Sequence, residues 1–178
     1  MKAGLVLLMT ISAVLMFATT GYAHESATYS ATAIMKDVKG NTVGLATFTE
    51  EANGSVHINV NVRGLNPGLH GIHIHYKGKC TGPSFTSAGE HYNPLGKEHG
   101  LNNPKGPHAG DLPNLKVGKD GKGHMSVTTD RVTLSPGPTT LFTANGTSLV
   151  IHADPDDQIT NPTGNSGARI VCGVIEKK

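Results

Sequence analysis

Between Lys77 and Pro113 the chain is rich in Gly, Pro, Asn and His and nearly free of aliphatic residues. An unstructured stretch of that length is uncommon in a compact domain unless something holds it, because its backbone groups need partners and its closure costs entropy. The rest of the sequence reads as strand. Val56, Ile58, Val60 and Val62 alternate with Ser55, His57, Asn59 and Asn61, the period-two pattern of a half-buried strand. Similar runs at Thr28 to Val38, Thr42 to Thr49, Gly71 to Tyr76, Leu115 to Gly118, His124 to Thr129, Ser148 to His152 and Ala168 to Ile175 bring the count to eight. Lys39-Gly40-Asn41, Asn66-Pro67-Gly68, Asp120-Gly121 and Pro136-Gly137-Pro138 supply the reversals between them. These signals predict an all-β, eight-stranded antiparallel Greek-key barrel or sandwich, with no helical stripe of useful length.

At the N-terminus, Lys2 precedes an apolar run from Ala3 to Phe17 and the small-residue stretch Ala18 to Ala23. This is the pattern of a secretory signal, and Gly21-Tyr22-Ala23 fits the small-x-small rule for cleavage. The run is shorter than the roughly 20 residues a membrane span needs; an uncleaved anchor is the alternative. The expectation is a signal peptide at 1–23, one domain at 24–178, and a secreted or periplasmic protein with no membrane span after cleavage. Loss of Lys2, the segment's only charge, leaves the domain nearly neutral, and no basic block interleaved with aromatics is present. Nucleic-acid binding is therefore not expected.

The chain has two cysteines, Cys80 and Cys172. In an exported protein an even pair reads as a disulfide, the alternative being a buried free thiol at Cys172.

The long loop carries His91, His99, His108 and Asp111, and three imidazoles with a carboxylate suit tetrahedral zinc. A bound ion would also order the segment. His73 and His75, at i and i+2, share one face of a strand, and His152 sits in the apolar strand Ser148 to Ala153, where an imidazole needs a partner. Imidazole-only coordination favours copper among redox metals. Taken singly, a His-x-His pair is more often a surface feature and a buried histidine more often a hydrogen-bonded core residue. The number gathered on one loop and its neighbouring strands argues otherwise, with His24, His57, His70 and His124 outside the group.

Gly71-Ile72-His73-Ile74-His75, Gly89-Glu90-His91-Tyr92-Asn93-Pro94 and Pro107-His108-Ala109-Gly110-Asp111-Leu112 resemble the motifs of copper,zinc superoxide dismutases. So do Leu149-Val150-Ile151-His152 and the run Gly164 to Val174, and the likeness extends from about Tyr29 to Ile175. The resemblance implies copper ligands His73, His75, His91 and His152, and zinc ligands His91, His99, His108 and Asp111, with His91 bridging. It implies that Arg169 borders the copper channel and attracts the anionic substrate, that Asp156 links the two sites from behind, and that Cys80 pairs with Cys172. The implied activity is dismutation of superoxide to oxygen and hydrogen peroxide by alternate reduction and oxidation of copper, with structural zinc, as antioxidant defence outside the cytoplasm.

A longer segment between Cys80 and His91 and a shorter one between His152 and Arg169 resemble bacterial members. The shorter segment lacks the Glu and Lys cluster of the eukaryotic pattern, leaving Lys77, Lys79 and Lys97 as possible steering charges, though solvated surface is the plainer reading of them. Association is expected as monomer or homodimer. A non-enzymatic metal-binding domain is the rival reading; copper chelation by an exposed His24 is a weaker one.

Overall fold

The structure, a computed structural model, describes residues 29–178; the expected signal peptide and His24 lie outside them. The alternating segments form β1 (Ser30–Asp37), β2 (Thr42–Glu50), β3 (Val56–Val62), β4 (Gly68–His70), β5 (Ile72–His75), β6 (Leu115–Val117), β7 (Gly123–Thr129), β8 (Ser148–His152), β9 (Arg169–Val174) and β10 (Glu176–Lys177). Every ladder between these strands is antiparallel. Helical structure among the described residues is one 3-10 turn, Thr86–Ala88.

The strand order is β4-β6-β7-β3-β2-β1-β9-β8-β5, with β10 added to β1. Its two ends, β4 and β5, are consecutive in the chain and separated by Gly71 alone, so the sheet curls back on itself into a nearly closed Greek-key barrel.

The eight expected strands become ten because β4 and β10 escaped the pattern reading. β4 reads Gly-Leu-His with its one aliphatic residue, Leu69, half exposed. β10 is the pair Glu176-Lys177, which carries no apolar alternation and is held by pairing to Ala31 and Thr32.

Alternation decides what faces inward. Val56, Ile58, Val60 and Val62 of β3 are buried with Met35 of β1 and Phe48 of β2 in one continuous core. β5 and β8 differ, being buried on both faces along their whole length. Their inner residues Ile72, Ile74, Leu149 and Ile151 join the barrel core. Their outer face, which carries His73, His75 and Val150, is covered by the 77–113 loop.

That loop pairs back onto β5 twice. Tyr92 donates to the Ile74 carbonyl at 2.8 Å and Ile74 donates to the Gly110 carbonyl at 2.9 Å, which brings His91 opposite His75 and Asp111 opposite His73. A side chain at Gly110 would run into the Ile74 carbonyl, so only glycine permits this approach.

Candidate metal centre

Strand pleating puts His73 and His75 on the outer face of β5, and antiparallel pairing with β8 brings His152 onto the same face. The loop contributes His91, His99, His108 and Asp111, and all seven residues are buried. Two groups of metal-ligand atoms converge to within 4.8 Å: one from His73, His75, His91 and His152, the other from His73, His91, His99 and Asp111.

In the first group every ring has one nitrogen engaged and one buried without a partner. His75 Nδ1 donates to the Gly89 carbonyl at 2.8 Å and His152 Nδ1 to the Gly167 carbonyl at 3.2 Å. His73 Nε2 meets Asp156 Oδ2 at 2.7 Å, and His91 Nδ1 meets Asp111 Oδ1 at 3.2 Å. The unpartnered atoms are His73 Nδ1, His75 Nε2, His91 Nε2 and His152 Nε2. A buried polar atom without a partner costs about 1–3 kcal/mol, and one cation among four such lone pairs would satisfy them together. Burial in company with other imidazoles holds His75 well below its ordinary pKa, His91 at about 4 and His152 at about 3, so these rings are neutral and able to ligate at neutral pH. The donor set fits copper.

The second group centres on Asp111 Oδ1, with His91 Nδ1 at 3.2 Å, His99 Nδ1 at 3.0 Å and His108 Nδ1 at 3.4 Å. Zinc bonds of 2.0–2.1 Å give a tetrahedron with ligand–ligand edges of about 3.3–3.4 Å, which these spacings approach. The tight atom group holds His73 where the sequence reading expected His108. His108 Nδ1 nonetheless lies within an edge length of the carboxylate and is itself buried without a partner. The other carboxylate oxygen, Oδ2, accepts from the backbone N–H groups of Gly100 and His108, both at 2.9 Å. Burial opposes ionisation of Asp111, but the three imidazoles and these amides outweigh it and hold the pKa far below the carboxylate range. His99 moves the other way: burial is outweighed by Asp111 and Asp156, and its pKa rises to about 9.

Of the neighbouring aspartates, Asp156 is buried while Asp154 and Asp157 are exposed. Its Oδ2 meets His73 Nε2 and its Oδ1 meets His99 Nε2 at 3.0 Å, so one carboxylate spans both groups. Asn114 brackets its backbone, with Asp156 N donating to Asn114 Oδ1 and Asn114 Nδ2 donating to Asp156 O, each at 2.8 Å.

Cys80 and Cys172 form a disulfide across a sequence separation of 92, and no free cysteine occurs among the described residues. Phe85, Ala88 and Val150 pack around it. Arg169, at the start of β9, donates from Nη1 to the Phe85 carbonyl at 2.9 Å. It is the ladder partner of His152, which sets it beside the four-imidazole group, and its charge contributes to the lowered pKa of His75 and His152.

Sequence reading set His70 aside, yet it is buried behind the centre, with its ring nitrogens against the carbonyls of His152 and Asn66, both at 2.8 Å. No periodicity marks it, since β4 has none. His57 and His124 lie on the exposed face of β3 and β7, apart from the centre.

A family model described as copper/zinc superoxide dismutase (SODC) matches residues 42–175. The chain is 45% identical over 139 residues to the superoxide dismutase-like protein YojM of Bacillus subtilis, covering 77% of this chain and 71% of that one. It is 46% identical over 141 residues to superoxide dismutase [Cu-Zn] 2 of Aquifex aeolicus, covering 78% and 82%. Among solved structures, a double mutant of a SOD-like protein from Bacillus subtilis superposes with a TM-score of 0.78 at 45% identity, covering 80% of this chain and 95% of that one.

Proposed function

Because this chain belongs to the copper/zinc superoxide dismutase family, we propose that it dismutates superoxide outside the cytoplasm at the centre just described. Two observations support the location: the secretory pattern at 1–23 and the disulfide. No helix among the described residues is long and apolar enough to cross a membrane. The observation that carries the activity is the set of four buried, unpartnered imidazole nitrogens abutting the Asp111-centred group, with His91 common to both.

His73, His75, His91 and His152 would hold copper, and His91, His99, His108 and Asp111 would hold zinc. When bound, copper supplies one-electron redox chemistry, by which two superoxide anions and two protons become one oxygen and one hydrogen peroxide, while zinc supplies order without redox change. The protein's own part is orientation, charge and proton handling. Gly89 and Gly167 carbonyls and Asp156 fix which nitrogen of His75, His152 and His73 faces inward. His91 presents Nε2 to the four-imidazole group and Nδ1 to Asp111, so Nε2 can hold and release a proton while Nδ1 keeps the ring in place. Arg169, tied to the Phe85 carbonyl, supplies fixed positive charge at the approach of a small anion, which raises the association rate at low salt.

The test is superoxide consumption by the exported chain reconstituted with copper and zinc. His75→Ala should lower copper-dependent turnover by about 100-fold or more, taking ligand loss to cost at least as much as loss of a supporting group, and the wild-type rate should fall with ionic strength. Zinc binding with turnover no greater than that of free copper would replace the enzyme by a metal-binding domain.

A further inference from the structure

Arg131 follows β7 and reaches the backbone of Asp111, a residue distant in sequence. Its Nη2 donates to the Asp111 carbonyl at 2.7 Å, while its Nε is buried without a partner. Arg131 is half-buried, and leaving its buried Nε–H unsatisfied is costly, a cost that the contact to Asp111 helps to offset. Burial pulls the arginine's pKa down, and the carboxylates of Asp130 and Asp111 oppose it. Asp111 is held on every other side by its role in the centre: its side chain meets three imidazoles and two amides, and its backbone lies opposite His73. The carbonyl is the remaining polar group of that residue, and fixing it fixes the peptide from which the carboxylate projects.

We infer that Arg131 is a positioning residue for the zinc half of the centre, acting through the Asp111 carbonyl to set the carboxylate among His91, His99 and His108. The inference rests on the reading of Asp111 as a zinc ligand. A purely structural role for Arg131 would be to anchor the segment after β7. The same segment is anchored independently by Glu50, which accepts from Leu134 N, from Ser135 N at 2.7 Å and from Ser135 Oγ at 2.6 Å. Glu50 does not touch the centre, so the two anchors can be broken separately.

The experiment follows zinc release from the exported, zinc-loaded protein to a chromogenic chelator, together with the visible spectrum after cobalt substitution. Arg131→Met should release zinc on the order of 10-fold faster, as expected for loss of a group that orients a ligand, and should alter the cobalt bands. Arg131→Lys, which keeps a donor and a charge, should lie between it and wild type, and it carries the comparison if Arg131→Met does not fold. Glu50→Gln should release zinc at the wild-type rate with unchanged bands. Equal acceleration by Glu50→Gln, or wild-type release from both Arg131 variants, would overturn the inference. Asp111→Ala separates the two levels: loss of zinc binding there with wild-type release from the Arg131 variants sinks the inference alone, and zinc binding unaffected by Asp111→Ala sinks the ligand reading and the inference with it.

Discussion

The two halves of the centre are built from different material. His73, His75 and His152 stand on β5 and β8, whose inner faces belong to the barrel core, and backbone carbonyls orient two of the three rings. His99, His108 and Asp111 stand on a loop without strands of its own, and a carboxylate, not the backbone, organises them. The electrostatics divide along the same line. On the strands, burial pushes His73 and His75 down and His152 to about 3, while on the loop His99 is pushed up to about 9. A strand-borne site is thus preset by the folding of the sheet, whereas a loop-borne site needs its ion to complete it.

The disulfide offers the largest test of that difference, because it ties the loop to β9. Replacing Cys80 and Cys172 by serine should cost about 4–5 kcal/mol in the chain-entropy treatment of so long a loop, read by urea unfolding. Zinc affinity should suffer more than copper affinity in the variant, and equal losses would erase the distinction between the halves.

Asp156→Asn attacks a carboxylate that touches both halves, through His73 and His99. Both metals should bind more weakly, by 10- to 100-fold as an order of magnitude for a supporting group, in competition titrations. A loss confined to one metal would show that the halves are independent.

Proton release sharpens the contrast further. His99 titrates above its unfolded value of about 6.5, so its contribution to the metal-free fold is complete below that pH and is lost as pH rises through about 9. Zinc must displace this proton, so loading at pH 7 should release close to one proton. Copper added to the zinc-free protein, entering among rings already neutral, should release almost none from His91 and His152, whereas copper added after zinc should release the one remaining ring N–H proton of His91. Calorimetry in buffers of different ionisation enthalpy measures both, and the reverse pattern would break the assignment of charge to the loop half.

The smallest effect is expected away from both halves. The Ser135 hydroxyl and the amides of Ser135 and Leu134 outweigh burial and lower the Glu50 pKa. Glu50→Gln should cost about 1–2 kcal/mol at neutral pH. Because the shift is downward, that contribution is present above about 4.5 and lost as pH falls through the depressed value, so the two proteins should converge in acid unfolding.

Much of this was legible because the residues proposed as ligands sit where local rules operate. His73 and His75 are two apart on a strand, and the loop announces itself by lacking the apolar alternation on either side. The Cys80–Cys172 pairing followed from compartment and resemblance. What escaped depends on where strands meet in space. His70 reaches the His152 carbonyl only because β4 and β5 close the barrel, and Arg131 reaches Asp111 only because the segment after β7 passes behind the loop. Neither has a periodicity or a motif, and each is one long polar side chain in a short or irregular stretch. β10 was hidden for the same reason, since its pairing is set by its partner and not by its own two charged residues.

Along β5 successive residues answer to different demands, Ile72 and Ile74 to the barrel and His73 and His75 to the buried imidazole cluster. Mutation can therefore rewrite one face while the other keeps the protein folded. A lineage built on this barrel can lose, exchange or regain metal ligands one at a time without passing through an unfolded ancestor, and so can drift between catalysis and other employment while its architecture stays the same.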